Sequence, residues 1–542
     1  MSSAEYDFII VGAGSAGAAI AGRLSENPAW RVLLIEAGPR DRSPWIHIPI
    51  GYAKTFYDAR YNWKYMTEPE PYLGGRTIYE PRGKTLGGTS AINGMVYVRG
   101  IASDFNTWRQ LGNAGWAYDD VLPYFKKLES NERGEDRFHG RAGPVKIGEP
   151  VWRPQLGDAY IQATVAAGLR KTNDFNGEQQ EGVSYYQVTA KNGRRSSTAR
   201  SYLIPARNRS NLHIVTEALT EKIVLEGKRA TGVVYRQGAN TITTKARREV
   251  IISGGAVNSP QLLQLSGIGP GQLLSENGIA VQHDLAGVGE NLQDHYAGRL
   301  MYRINKNWSL NERVATLPQR IMLGAEYLLT RRGPLAVGAS TIAAFFRSSP
   351  DLTEPDCQLQ FFAFSTDGFD KGLHPFPGFS VLVNPHRPES RGFIRIKSNS
   401  PQVHPRIQGN YLQAEADKLL GIASMKFAMK IHATDPIRSL IDKELTPGVN
   451  VRSDDEILAY LTQTGESCYH LCGTCGMGPQ ENIMSVVDNR LRVHGIEGLR
   501  VADASIMPRL VSGNTNATSI MIGEKCADMV KKDHAAAGAQ AA

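Results

Sequence analysis

The sequence predicts an α/β fold built on a Rossmann-like unit, and two stretches carry that expectation. One is "YDFIIVGAGSAG" near the N-terminus, followed by "RVLLIE". The other is residues 378–434, where strand-like apolar runs around a turn lead into a segment with helical spacing. Residues 6–11 form a short continuous apolar run, as expected of a strand buried on both faces. Gly12 permits a tight turn out of that strand. Gly14 lets the backbone approach a pyrophosphate, and Gly17 lets the following helix pack closely. Helix-compatible residues then run to about Glu26, with Ser15 and Ala16 at the end whose free N–H groups suit phosphates. The second strand ends in Glu36 and Ala37, and an acid at Glu36 accepts hydrogen bonds from ribose hydroxyls while disfavouring a 2′-phosphate. Strand, turn, helix, strand and acid fall in register, so a dinucleotide is expected. These residues alone leave NAD and FAD open.

Bulk composition fits an ordinary, somewhat loop-rich globular protein. The chain has 542 residues, 41% hydrophobic and 21% charged, with 61 basic residues against 53 acidic ones for a net charge of +8. Basic clusters such as "GRRSSTARS" and "KARREV" are short and interleaved with acids, so a nucleic-acid partner is not expected. No apolar run is long enough for a membrane span, and the N-terminus lacks the basic region of a secretory leader. Five cysteines, an odd number, argue against a disulfide framework and for a reducing cytoplasm. The Ala-rich end, "HAAAGAQAA", reads as a frayed tail. No internal repeat or long linker is visible.

A second glycine cluster separates FAD from NAD. "RGKTLGGTSAINGMVYVRG", residues 82–100, is a glycine-rich loop running into small polar residues, which suits a backbone passing close to a large planar ligand. It resembles the first signature of the glucose–methanol–choline (GMC) family of FAD oxidoreductases through Gly83, Lys84, Leu86, Gly87, Gly88, Thr89, Ser90 and Asn93. Residues 254–269, "GGAVNSPQLLQLSGIG", resemble the second signature, with Gln264 where an aliphatic residue is usual. Residues 500–529 resemble the C-terminal block, so the likeness runs through nearly the whole chain.

That resemblance implies an FAD domain made of separated segments plus a substrate-binding domain of antiparallel sheet. The segments 1–155, 205–300 and 465–542 are assigned to the FAD domain, and 156–204 and 301–464 to the substrate domain. It implies further FAD contacts at Leu86, Gly87, Thr89, Asn93, Gly94, Met95, Val96, Asp503, Ala504, Thr515 and Asn516. Ile92 stands where some members carry a flavin-tethering histidine, which implies non-covalent FAD.

The stretch "CYHLCGTCGMG" admits three readings: a metal knuckle, a redox pair, or a loop that aims a histidine. Only Cys472 and Cys475 have C-x-x-C spacing and no second pair exists, so no metal is expected and the cysteines are read as packing residues. In the family pattern the loop places a histidine over the flavin. His470 fills that position, although Leu471 and Gly476 depart from the usual proline and basic residue. The matching partner is Asn514, whose amide can hold an alkoxide while His470 accepts the hydroxyl proton and hydride leaves for the flavin. The implied reaction is oxidation of a primary alcohol to an aldehyde. Oxygen, a quinone or another carrier is the expected electron acceptor, with peripheral membrane association in the quinone case. Choline is an alternative substrate. Thr341, in the stretch aligned with a substrate carboxylate, favours an uncharged alcohol instead. A non-redox hydroxynitrile lyase with structural FAD and an NAD enzyme are the rival readings.

Overall fold

The computed structural model describes residues 5–540. Two seven-stranded sheets organise them. In the first, Leu212–Val215, Val32–Ile35, Glu5–Val11, Asn240–Ile252 and Leu499–Val501 run parallel, from chain segments far apart in sequence. The strand Asn240–Ile252 changes character along its length. Its first half alternates exposed and buried residues, and pairs antiparallel with Arg229–Gln237, which in turn pairs with Ala218–Glu226. Its last residues, Val250, Ile251 and Ile252, are fully buried between two parallel neighbours.

The helix Ser15–Leu24 is rich in Ala and Gly because it is packed on several sides. A Cβ on Gly17 would lie 1.9 Å from Gly12 O, and one on Gly22 would lie 3.0 Å from Tyr202 Cβ. The C-terminal helix Asn516–Gln540 packs on it so tightly that a Cβ on Gly523 would meet Ala16 O at 2.6 Å. The helix runs on into the Ala-rich end as far as Gln540, and Ala541 and Ala542, the last of the stretch read as a frayed tail, lie outside the described residues.

The second sheet is antiparallel, in the order Ile441–Thr446, Tyr296–Ile304, Gly378–Pro385, Cys357–Phe362, Ile342–Phe346, Gly182–Tyr185. Alternation along each strand gives it two different faces. Leu300, Tyr302, Phe361, Phe379 and Val381 pack under the helices Gln155–Ala166, Glu415–His432 and Asp454–Thr464. Met301, Gln360, Phe362, Ser380 and Leu382 face a cavity between the sheets.

Structural ties cross two of the expected divisions of the chain. The boundary at residue 300 falls inside Tyr296–Ile304, a strand that also pairs with Glu466–Ser467. Just before the boundary at 204, Thr198 hydrogen-bonds Gly14 O and Tyr202 packs on Gly22, tying that segment to the first sheet. The apolar stretches of 378–398 do form strands, Gly378–Pro385 and Phe393–Arg395. They do not pair with each other, because the second finds its partner in Arg406–Gln408.

Candidate active site

One cavity of about 740 Å³ lies between the sheets, walled on one side by the glycine turn and on the other by the antiparallel strands. Three helices begin at its wall: Ser15–Leu24, Gly255–Leu265 and Asn516–Gln540. The starts of Ser15–Leu24 and Asn516–Gln540 leave N–H groups that suit an anion, whereas the N–H of Gly255 is taken by a carboxylate. Ser15 Oγ donates to Asn516 Oδ1 at 2.8 Å and ties two of these ends together. Asp503 joins the third, accepting from Gly255 N at 2.8 Å, Ser259 Oγ at 2.6 Å and Ser505 N at 2.8 Å.

The three fingerprint glycines do different jobs. Gly12 has φ +97° and a Cβ there would lie 2.4 Å from Ser253 O, so the turn itself demands it. Gly17 serves helix packing and does not line the cavity. Gly14 does line it, yet a Cβ there would meet no protein atom closer than 3.9 Å. Protein packing leaves Gly14 unexplained; room for a ligand backbone contact explains it. Glu36 is buried at the end of its strand, accepting from Ala13 N at 3.0 Å and Gly38 N at 2.9 Å. Burial pushes its carboxyl up to about 7, a penalty that further hydroxyl donors would relieve.

Ala16, Ala37, Thr89, Asn93, Gly94, Met95, Val96, Ala504, Thr515 and Ile92 also border the cavity. Leu86 and Gly87 are not among the residues that border it. Leu86 belongs to the core of the first sheet, and Gly87, at φ +89°, donates its N–H to Ala13 O at 2.8 Å. Both help to hold the loop.

At the other end His470 and Asn514 meet, with Asn514 Nδ2 3.0 Å from His470 Nε2. Behind them lies a chain that the sequence did not reveal. His295 Nε2 donates to His386 O at 2.8 Å, so the opposite nitrogen of the neutral ring, Nδ1, is an acceptor. It accepts from His470 Nδ1 at 2.9 Å. That leaves the lone pair of His470 on Nε2, beside Asn514. Burial holds all three rings toward the neutral form: His295 is lowered to about 4, and His470 and His386 lie well below the usual histidine range.

The loop carrying His470 is anchored by buried polar groups. Asp294 accepts from His470 N at 2.7 Å, from Tyr411 Oη at 2.8 Å and from Ser467 Oγ. Tyr469, immediately before the histidine, sits at φ +65°, a strained position for a bulky residue. Cys472 and Cys475 are buried free thiols in the core of the first sheet, and burial pushes both thiols up. Among the described residues no cluster of His, Cys, Asp and Glu could hold a metal ion.

The wall opposite the glycine turn is aromatic. Phe56 makes edge contacts with Tyr57, Phe369 and Tyr469, and Phe369 with Tyr52. One ion pair interrupts it, Arg299 Nη2 to Glu466 Oε1 at 2.6 Å. Thr341 is not on the wall; it is buried, with its hydroxyl unpartnered, so its side chain says nothing about substrate charge. Asp294 and His295 stand together in "NLQDH", a buried acid and imidazole in a loop, which is the one signal that could have found them.

A dinucleotide cradle facing a buried, neutral histidine and an amide defines a flavin-dependent oxidoreductase acting on alcohol groups. The chain belongs to the GMC oxidoreductase family, whose N-terminal model matches residues 6–297 and C-terminal model residues 388–523. It is 43% identical over 526 residues to an oxygen-dependent choline dehydrogenase of Brucella anthropi, covering 97% of this chain and 95% of that one. It is 44% identical over 528 residues to one of Rhizobium etli, with the same coverage. Among solved structures it resembles formate oxidase (TM-score 0.91, 28% identity, 98% and 99% of the two chains). It also resembles pyridoxine 4-oxidase from Mesorbium loti (TM-score 0.86, 30% identity, 96% and 98%). The fold is thus a Rossmann-like FAD-binding domain with a substrate-binding domain, and the cofactor is FAD. Among the described residues no helix is long and apolar enough to cross a membrane.

Proposed function

We propose that the chain oxidises an uncharged primary alcohol to its aldehyde, with His470 as the proton acceptor and Asn514 as the group that holds the oxygen. The reading rests on the chain from His386 through His295 to His470, which leaves the Nε2 lone pair facing Asn514. A substrate hydroxyl that takes the place of their direct 3.0 Å contact donates to Nε2 and accepts from the amide. The neutral ring takes the proton, and Asn514 holds the oxygen as its charge develops. His295 then accepts from the Nδ1–H of the charged ring, which steadies it.

Gly14, Ser15 and Asn516 would hold the phosphates, Glu36 a ribose, and Thr89, Asn93, Gly94, Met95, Val96, Asp503, Ala504 and Thr515 would border the rest of the cofactor. Bound FAD supplies the hydride acceptor, and Ile92 offers no nucleophile for a covalent link. Glu466 is neutralised by Arg299, which favours an uncharged substrate. Choline is the second reading, favoured by the aromatic wall, whose rings attract a quaternary ammonium, and by the names of the relatives. Electrons leave to oxygen, a quinone or another carrier, in the cytoplasm.

The test is stopped-flow flavin reduction across a panel of alcohols that includes choline, followed by turnover with oxygen and with a dye acceptor. His470→Ala should slow reduction by about 10²–10⁴-fold with FAD content intact. Asn514→Ala should slow it by roughly 10-fold to 10³-fold, non-additively with the first. The His470 pKa lies well below its usual 6.5, so the rate should be flat above that pH and fall only on the acid side. A His470→Ala enzyme that reduces its flavin at the wild-type rate removes the mechanism. No reduction by any alcohol revives the lyase.

A further inference from the structure

We propose that the helix Leu317–Thr330 docks the enzyme on an anionic phospholipid bilayer, lying in the headgroup plane. The helix is built to stay helical without further support. Thr316 and Gln319 cap each other, and Leu323 and Tyr327 anchor one side, with Tyr327 Oη donating to Gly193 O at 2.9 Å. The other side is apolar and uncovered. Leu317, Ile321, Met322, Leu328 and Leu329 are 63–85% exposed, five of the large apolar side chains most open to solvent. At about 100° per residue they fall, with Pro318 and Ala325, within an arc of roughly 140° that contains no charged residue. Scattered exposed apolar residues need no explanation, but a contiguous face of this order marks an interaction.

Charge selects the partner. Between residues 306 and 332, Lys306, Arg313, Arg320, Arg331 and Arg332 stand against Glu312 and Glu326, a net of +3. Glu312 is bound to Ser309, and Glu326 lies 3.8 Å from Arg313. An apolar face flanked by Arg320 on one edge and followed by Arg331 and Arg332, with Glu326 on the other edge drawn toward Arg313, suits a surface that offers both acyl chains and anionic headgroups. A protein groove would need acids matched to those arginines; a bilayer supplies them at any spacing. The helix is also coupled to the cavity. Asn311, just before it, donates to Ser365 O at 2.9 Å and His374 O at 3.0 Å, and these bracket the segment whose Thr366, Asp367 and Phe369 line the cavity.

The experiment is co-sedimentation of the FAD-loaded enzyme with phosphatidylcholine vesicles, with and without phosphatidylglycerol. Wild type should sediment with the anionic vesicles and be released by salt. Ile321→Ser with Leu329→Ser should weaken binding by about tenfold or more. Arg320→Gln with Arg332→Gln should weaken it by about tenfold on the anionic vesicles alone. Turnover of a soluble alcohol with a dye acceptor should not change in either pair, which shows that they are folded. Because the readout is binding, failure here leaves the proposed chemistry untouched. Wild type that stays in the supernatant at low salt overturns the proposal. So does binding unaffected by both pairs, or a wild-type dimer in light scattering that Ile321→Ser with Leu329→Ser dissociates.

Discussion

The turn at residues 12–17 and the loop at residues 465–478 both border the cavity, and they are held by opposite means. Shape holds the turn: backbone atoms stand 2.4 Å and 1.9 Å from where a Cβ on Gly12 or Gly17 would be. Its closest contacts are main-chain contacts, and a single carboxylate, Glu36, accepts from Ala13 N. Buried polar groups hold the loop: Asp294 collects three donors, His295 takes a fourth contact, and Arg82 reaches Tyr469 O. The turn cannot accept an added atom, whereas the loop cannot lose a hydrogen bond or gain a stray proton.

Volume is the sharpest way to break that comparison. Gly17→Val should cost more than about 4 kcal/mol, because the backbone oxygen in its path has nowhere to move. The expected outcome is insoluble protein or the loss of a cooperative melt. Gly14→Val adds the same atoms where only ligand space is displaced. It should melt within a few degrees of FAD-stripped wild type yet retain less than about a tenth of the bound FAD. Circular dichroism melts and FAD-to-protein ratios decide it; identical behaviour of the two variants would sink the distinction.

On the loop, Asp294→Asn keeps the shape and removes the charge that three donors share. It should destabilise the fold by about 2–4 kcal/mol and slow flavin reduction by about tenfold or more, with FAD content unchanged. Loss of FAD together with rate would mean that the loop holds the cofactor and does not merely aim His470.

The proton count behind the loop is a smaller effect with a definite sign. Tyr411 Oη lies 3.1 Å from Glu80 and 2.8 Å from Asp294, so two buried carboxylates compete for one region. Burial and the nearby Asp294 push Glu80 up to about 8 from its usual 4.5, and Asp294 is raised too. Between those values the folded protein keeps a proton that the unfolded chain has lost. That stability is whole below 4.5 and is lost as pH rises toward about 8. Glu80→Gln cannot ionise, so its melting temperature should fall less steeply than wild type's between neutral pH and pH 8. Parallel melting curves would place the proton elsewhere.

The same contrast explains what the sequence made legible. Gly12, Gly14, Gly17 and Glu36 lie in one continuous strand–turn–helix–strand stretch, so spacing alone revealed them, although Gly12 also meets Ser253 far along the chain. His470 and Asn514 were legible only through the family pattern, because what fixes His470 lies 175 and 176 residues distant in His295 and Asp294. Leu86 and Gly87 show a related limit: a motif marks a loop, and only packing decides which of its residues border the cavity. Near residue 300 the strand Tyr296–Ile304 is apolar enough for either sheet, and its partners Gly378–Pro385 and Ile441–Thr446 come much later in the chain, so the sequence alone does not say to which sheet it belongs.

The smallest expected effect tests whether the far end of the loop obeys either rule. Cys475 is fully buried, with its thiol raised by burial and its N–H bound to Ser505 O at 2.8 Å. Its neighbour Cys472 pairs backbone to backbone with Gln293. At this end the loop is therefore held by main chain and small apolar volume, as the glycine turn is, and not by the polar set around His470. Cys475→Ser keeps the volume but buries a hydroxyl, which costs about 1–3 kcal/mol if it finds no partner. A lower melting temperature with unchanged FAD content and unchanged flavin reduction is the expected result, and a chelator should leave activity alone. Stoichiometric zinc in the purified protein, with activity lost on its removal, would instead make these thiols ligands and the loop a metal-held structure. A rate loss larger than the stability loss would extend the polar network to Cys475, and the line between the two regimes would have to be drawn beyond it.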